Sequence, residues 1–243
     1  MLFTEKCYFC TLQQHSNTMK AIQINFSPTE EDLTGKSKWW GAADMPESMD
    51  YPMIPYEDGD DDPMTFVCQI RCADLAPYDP DNLLPHKGML YFFAAVNGFF
   101  EDSRDFRVAL NDDEAYDDDE YYEATPGLGE WSDEDFRVLY SPTEDDLVTN
   151  DILDENGSPD YPPAEKMSFG LSEPNSMGFR LLGHPYFEEI EQWYPEHINL
   201  LQIDENEDWG LRLYDCGMIN FLIKPEDLKA RRFDRVLLYF HSL

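Results

Sequence analysis

Short apolar runs rich in Phe, Tyr, Ile and Val recur along this chain, each bounded by Pro, Gly, Asp or Asn. The first part carries Ala21-Ile22-Gln23-Ile24-Asn25-Phe26, Phe66-Val67-Cys68-Gln69-Ile70, Gly88-Met89-Leu90-Tyr91-Phe92-Phe93 and Phe136-Arg137-Val138-Leu139-Tyr140. The later part carries Asn199-Leu200-Leu201-Gln202-Ile203, Gly217-Met218-Ile219-Asn220-Phe221-Leu222 and Phe233-Asp234-Arg235-Val236-Leu237-Leu238-Tyr239-Phe240. Runs of this length, aromatic and β-branched, predict antiparallel or mixed strands. Helical spacing is scarce. One helix is expected from Pro185, with Phe187, Ile190 and Tyr194 on one side. A second is expected from Pro225, where Glu226 and Asp227 suit the first turn and Lys229, Arg231 and Arg232 follow.

The pattern repeats itself. Ser27-Pro28-Thr29-Glu30-Glu31-Asp32-Leu33 returns as Ser141-Pro142-Thr143-Glu144-Asp145-Asp146-Leu147, each copy after an apolar run. A hydroxyl residue, then Pro, then Glu at the third position predicts a helix start in both places. Further counterparts follow in the same order. Trp39-Trp40-Gly41 is answered by Leu181-Leu182-Gly183, and the strands holding Gln69 and Gln202 answer each other. The expected fold class is therefore α+β and sheet-rich, with few short helices. Its two related lobes would arise from an internal duplication, about residues 19–140 and 141–243 of a single domain. Residues 1–18 are expected to be an N-terminal extension outside it, either disordered or not native.

Composition narrows the function classes. In 243 residues, 42% are apolar and 14% aromatic, enough to fill a core and to exclude global disorder. Against 17 Lys and Arg stand 51 Asp and Glu, a formal net charge of −34. Such a surface repels phosphate backbones and anionic membrane, so neither nucleic acid nor membrane is an expected partner. Basic proteins and cations are. The acids crowd into insertions at Glu57-Asp58-Gly59-Asp60-Asp61-Asp62, Asp112-Asp113-Glu114 and Asp117-Asp118-Asp119-Glu120.

Five cysteines give no secreted disulfide framework. Cys7 and Cys10 form a single C-x-x-C without a second pair, and Cys68, Cys72 and Cys216 are expected as small packing residues. No run is long enough to span a bilayer, and Glu5 and Lys6 interrupt any signal-like apolar segment. A cytoplasmic, reduced setting is expected.

The runs Leu200-Leu201-Gln202-Ile203-Asp204, Trp209-Gly210 and Ile223-Lys224-Pro225-Glu226-Asp227-Leu228 fall in an order that resembles the YwqG-like family of bacterial proteins of unknown function. Pro46, Phe66 to Ile70, Gly88 to Phe93 and Leu182-Gly183-His184-Pro185 extend the resemblance over most of residues 36–243. It implies a compact α+β fold and no particular activity. One departure stands out. The family commonly runs Trp-Gly-Asp and then Gly, whereas Leu211 to Tyr214 here separate Trp209-Gly210 from Asp215-Cys216-Gly217.

Candidate chemistry is sparse. No hydrolase, zincin, phosphate-loop or dinucleotide motif is present, so no catalytic residue and no cofactor is assigned. Asp204, Asn206 and Asp208 alternate like oxygen ligands for calcium, but Trp209 stands where such loops need Gly; a strand-joining turn is the expected role. Asp154, Asn156, Ser158 and Asp160 with Glu165 match the spacing better, yet Pro159 takes the Gly position. Gln69 and Gln202 recur inside apolar strands, where a buried amide must be bonded; they bridge backbone or grip a ligand. Trp39 and Trp40 are expected in the core rather than on an exposed platform.

Two readings follow. The leading one is a non-catalytic protein presenting an acidic face to a basic protein partner, of the toxin-neutralising or immunity kind. The alternative is an enzyme or small-molecule binder with an inter-lobe cleft near Gln69, Gln202, His184, Trp209 and Asp215. A weak divalent-cation binder is a third option.

Overall fold

Alternation in the first apolar run produces an extended strand, because side chains two apart share a face. In β1 (Ala21–Pro28), Ile22 and Ile24 are buried while Asn25 and Ser27 are exposed. The computed structural model describes residues 19–55, 61–100, 126–154 and 156–243. The extension at 1–18 with Cys7 and Cys10, and the acidic runs within 57–60 and 101–125, lie outside the described residues.

After β1 come β2 (Lys38–Trp39), β3 (Ala43–Pro46), β4 (Met53–Ile54), β5 (Asp62–Pro63), β6 (Phe66–Arg71) and β7 (Met89–Ala94). They are followed by β8 (Gly129–Glu130), β9 (Phe136–Ser141), β10 (Leu147–Asn150), β11 (Glu165–Ser172) and β12 (Arg180–Leu181). Helix α1 (Glu188–Trp193), β13 (Ile198–Ile203), β14 (Met218–Ile223), helix α2 (Pro225–Lys229) and β15 (Leu237–His241) complete the described elements. An 11-stranded sheet runs in the order β8-β15-β14-β13-β12-β1-β11-β2-β6-β7-β9, every neighbour antiparallel. Strands β3 and β10, and β4 and β5, form separate two-stranded ladders.

This architecture overturns the α+β fold with two lobes built by duplication. The molecule is sheet-dominated, its two α-helices among the described residues spanning six and five residues. Strand β1 pairs along its full length with β11, from Ala21 opposite Ser172 to Pro28 opposite Glu165. Its other edge pairs with β12. A strand from 19–140 is therefore clamped between two strands from 141–243, and no seam separates lobes. The sheet curls into a half-barrel, bringing its wings face to face. Phe92 of β7 and Phe221 of β14, far apart in strand order, pack with ring centroids 5.5 Å apart. One core cluster draws on both wings, from Val67, Leu90 and Phe92 to Ile219, Phe221 and Leu238.

Neither copy of the repeated heptapeptide starts a helix. Ser27 and Pro28 stay in the β1 ladder, and Ser141 ends β9. The residues that follow satisfy local backbone instead. Thr29 Oγ1 accepts from Glu31 N, Asp32 Oδ1 from Thr34 N, and Thr143 Oγ1 from Asp145 N. Such side-chain-to-backbone bonds compete with helix formation. The helix expected at Pro185 begins three residues later, although Phe187, Ile190 and Tyr194 do lie together over Met218 and Leu222 on the outer face of β14. Helix α2 does start at Pro225. Trp39 and Trp40 are buried, as are Cys68 and Cys72, whereas Cys216 is exposed in a turn and packs nothing. Among the described residues, no helix is long and apolar enough to cross a membrane.

Candidate functional site

Behind β6, a closed polar network holds Gln69. Its Oε1 accepts from the Asp44 backbone N–H at 2.8 Å, and its Nε2 donates to Lys36 O at 3.0 Å and Asp44 Oδ2 at 2.8 Å. Lys38 Nζ lies 2.7 Å from the same oxygen, with both charged side chains almost wholly buried. Gln202 is held in a similar way in the other wing. Its Oε1 accepts from Arg180 Nη2 at 2.8 Å and Asn199 Nδ2 at 3.2 Å, while Nε2 donates to Gly178 O and Ser176 O. Arg180 is fully buried, and that burial lowers its pKa to about 10. Both glutamine amides are spent on the fold, with no donor left for a ligand. They brace separate wings.

The remaining cleft candidates are also dispersed. His184 sits at the entry to α1, its Nδ1 3.4 Å from Glu191 Oε1, and its backbone carbonyl accepts from Arg180 Nη2 at 3.0 Å. Asp215 is exposed in the turn before β14, where its backbone bonds Ser242. The inter-lobe cleft fails with the lobes themselves. Trp209, of the five, borders the cavity described below.

Of the side chains proposed for cations, Asp204, Asn206 and Asp154 serve turns. Asp204 Oδ2 accepts from Gly178 N at 2.7 Å and Oδ1 from Glu205 N at 2.8 Å. Asn206 Oδ1 accepts from Trp209 N at 3.2 Å and caps a short 3₁₀ turn that Gly210 closes at φ 68°. Asp154 Oδ1 accepts from Asn156 N and Ser158 N. Glu165 Oε1 accepts from Trp209 Nε1 at 2.7 Å. Among the described residues, no three His, Cys, Asp or Glu gather as a metal site.

What the turns do assemble is an aromatic-walled cavity of about 400 Å³. Trp209 lies against Phe26, Trp40 and Phe179 at 4.8, 5.6 and 5.4 Å and stacks on Trp39 at 6.0 Å. Phe100 packs on Trp40 at 5.3 Å. The chain turns away from β2 through two left-handed residues, Trp40 at φ 57° and Gly41 at φ 78°. They are pinned by Trp40 N to Val67 O and Gly41 N to Pro162 O bonds. A side chain on Gly41 would place its Cβ 2.7 Å from that of Ala164, so Gly is required for this close approach.

The polar rim of the cavity is one-sided. Asp160 and Asp208 line it, both exposed, and their carboxylates have no hydrogen-bond or ion-pair partner among the described residues, although the Asp160 backbone N–H bonds Ile152 O at 3.0 Å; no described Lys, Arg or His lines it. Tyr161 donates its hydroxyl to Asp151 at 2.8 Å, and burial with that carboxylate lifts its pKa to about 12. Tyr51 donates to Met64 O at 3.0 Å. Thr65 Oγ1 donates to Asn97 Oδ1 at 2.7 Å. The arrangement suits holding an apolar group with a positively charged or hydrogen-bond-donating end. Of its walls, sequence reasoning singled out Trp209, Asp160 and Asp208, named Gly41 only as part of the repeat, and missed Phe100 and Tyr161. The run Tyr161-Pro162-Pro163 was the available signal, a stiff aromatic segment within a polar loop.

Residues 37–241 match the family described as Domain of unknown function (DUF1963), and the chain belongs to that family. The match covers β2 to β15 and leaves out β1, although β1 lies in the middle of the sheet. No curated protein matches the chain.

Proposed function

We propose that this protein binds a basic protein partner through its acidic surface without acting on it, as a toxin-neutralising or immunity-like protein does. The observation that carries the reading is the formal charge of −34 together with the fate of the cations. Many described Lys and Arg are already claimed by the protein's own acids. Glu31 holds Lys36 and Lys166, Glu144 holds Arg71, Glu196 holds Lys224, and Asp227 holds Arg232. The surplus is left wholly negative. A surface of one sign steers and selects an oppositely charged partner. The YwqG-like resemblance of the strand and turn motifs belongs to the same reading and adds a bacterial setting.

Affinity capture from the native host, at low and high ionic strength with mass-spectrometric identification, tests this. Basic proteins retained at low salt and shed at high salt are expected. Recovery of neutral or acidic partners alone, or retention indifferent to salt, contradicts it.

A further inference from the structure

We propose that the aromatic cavity is a binding site for an organic cation, an ammonium or guanidinium group carried on an apolar stem. The inference extends the acidic-surface reading to one site, yet stands without it, because a free amine has the same chemistry as a basic side chain.

Trp209, Phe100, Tyr51 and Tyr161 supply ring surface, and ring faces attract cations. Asp160 and Asp208 supply full negative charges that no described residue neutralises. Most of the donors, by contrast, are used up internally; the exposed Asn97, whose Oδ1 takes the Thr65 hydroxyl, keeps its amide N–H group. Both tyrosine hydroxyls and the Trp209 indole N–H bond within the protein. Asn150 Nδ2 donates to Ala43 O and Val148 O, and its side-chain oxygen accepts from no described residue. With no Lys, Arg or His in the lining among the described residues, an anion would meet carboxylates and no described counter-charge. The volume of about 400 Å³ falls within the range of small-ligand pockets and takes a whole lysine or arginine side chain.

The test is an NMR titration of the full chain, reading the Trp209 indole N–H resonance, assigned with Trp209→Phe. The probes are n-butylammonium, its neutral isostere n-butanol, the anion butyrate, and a short lysine-containing peptide. Saturable shifts with butylammonium, weaker ones with butanol and none with butyrate are expected. Asp160→Asn and Asp208→Asn should each weaken butylammonium about two- to fivefold and leave butanol unchanged. Both substitutions are on exposed, unpaired carboxylates, so a native spectrum is expected throughout. A peptide tighter than butylammonium assigns the site to a partner's side chain; equal affinity assigns it to free amines. Butanol binding as well as butylammonium, or no shift at Trp209 with any probe, overturns the inference. A salt-sensitive basic partner that survives such a failure would leave the acidic-surface reading intact.

Discussion

Asp44 Oδ2 accepts from three donors at once: Lys38 Nζ at 2.7 Å, Gln69 Nε2 at 2.8 Å and Gly35 N at 3.0 Å. Its other oxygen takes Thr149 Oγ1 at 2.8 Å. One carboxylate thus ties β2, β3, β6 and β10 together. Truncating one partner of a buried pair leaves an uncompensated charge, which costs about 3–5 kcal/mol. Lys38→Met should lower the urea unfolding free energy by about that much, read from chemical denaturation; a loss below about 1 kcal/mol would mean the pair is solvated. His197 supplies a pH dependence. Burial first, and Lys224 next, hold its pKa below the ordinary 6.5. The unfolded chain therefore takes up the proton more readily than the folded one. The neutral-imidazole contribution is fully present above pH 6.5 and is lost as pH falls from there toward the lowered folded value. The melting temperature of wild type should drop relative to His197→Gln across that window, and parallel curves would contradict the assignment.

At the scale of elements, β1 bears the most. It pairs on both edges yet lies outside the residues that define the family match. Deleting residues 1–28 exposes the facing edges of β11 and β12, and an unpaired edge is a template for aggregation. Loss of cooperative thermal unfolding is the expected result; a cooperative transition within a few degrees of wild type would show the sheet closes without β1. Gly41→Ala should destabilise by about 1–2 kcal/mol through left-handed strain alone, with the Ala164 contact adding to it. Strands were the legible part of the sequence. The runs at Phe66, Gly88, Asn199 and Gly217 became β6, β7, β13 and β14, because each carries apolar residues for both buried faces. The heptapeptide copies misled, since Ser, Thr and Asp that cap helices serve turns equally well. The pairing of β1 with β11 was illegible, since register between strands over 100 residues apart leaves no local trace.

For the molecule as a whole, the half-barrel explains why the five cleft residues scattered. Trp209 stands among the turns, Gln69 and Gln202 face outward from opposite wings under their own covers, and His184 and Asp215 sit at other element ends. Cavity walls come from turns distant in sequence, so only single residues among them were recognisable beforehand. Charge, in contrast, was readable from composition and is a property of the entire surface. The acidic-surface account makes a kinetic statement about it: ionic strength acts on encounter far more than on escape. The most direct test is the association rate constant with the captured basic partner, measured by stopped flow from low to high salt. The account predicts a fall of about tenfold or more, with the dissociation rate nearly constant. An association rate flat across the same range would contradict it.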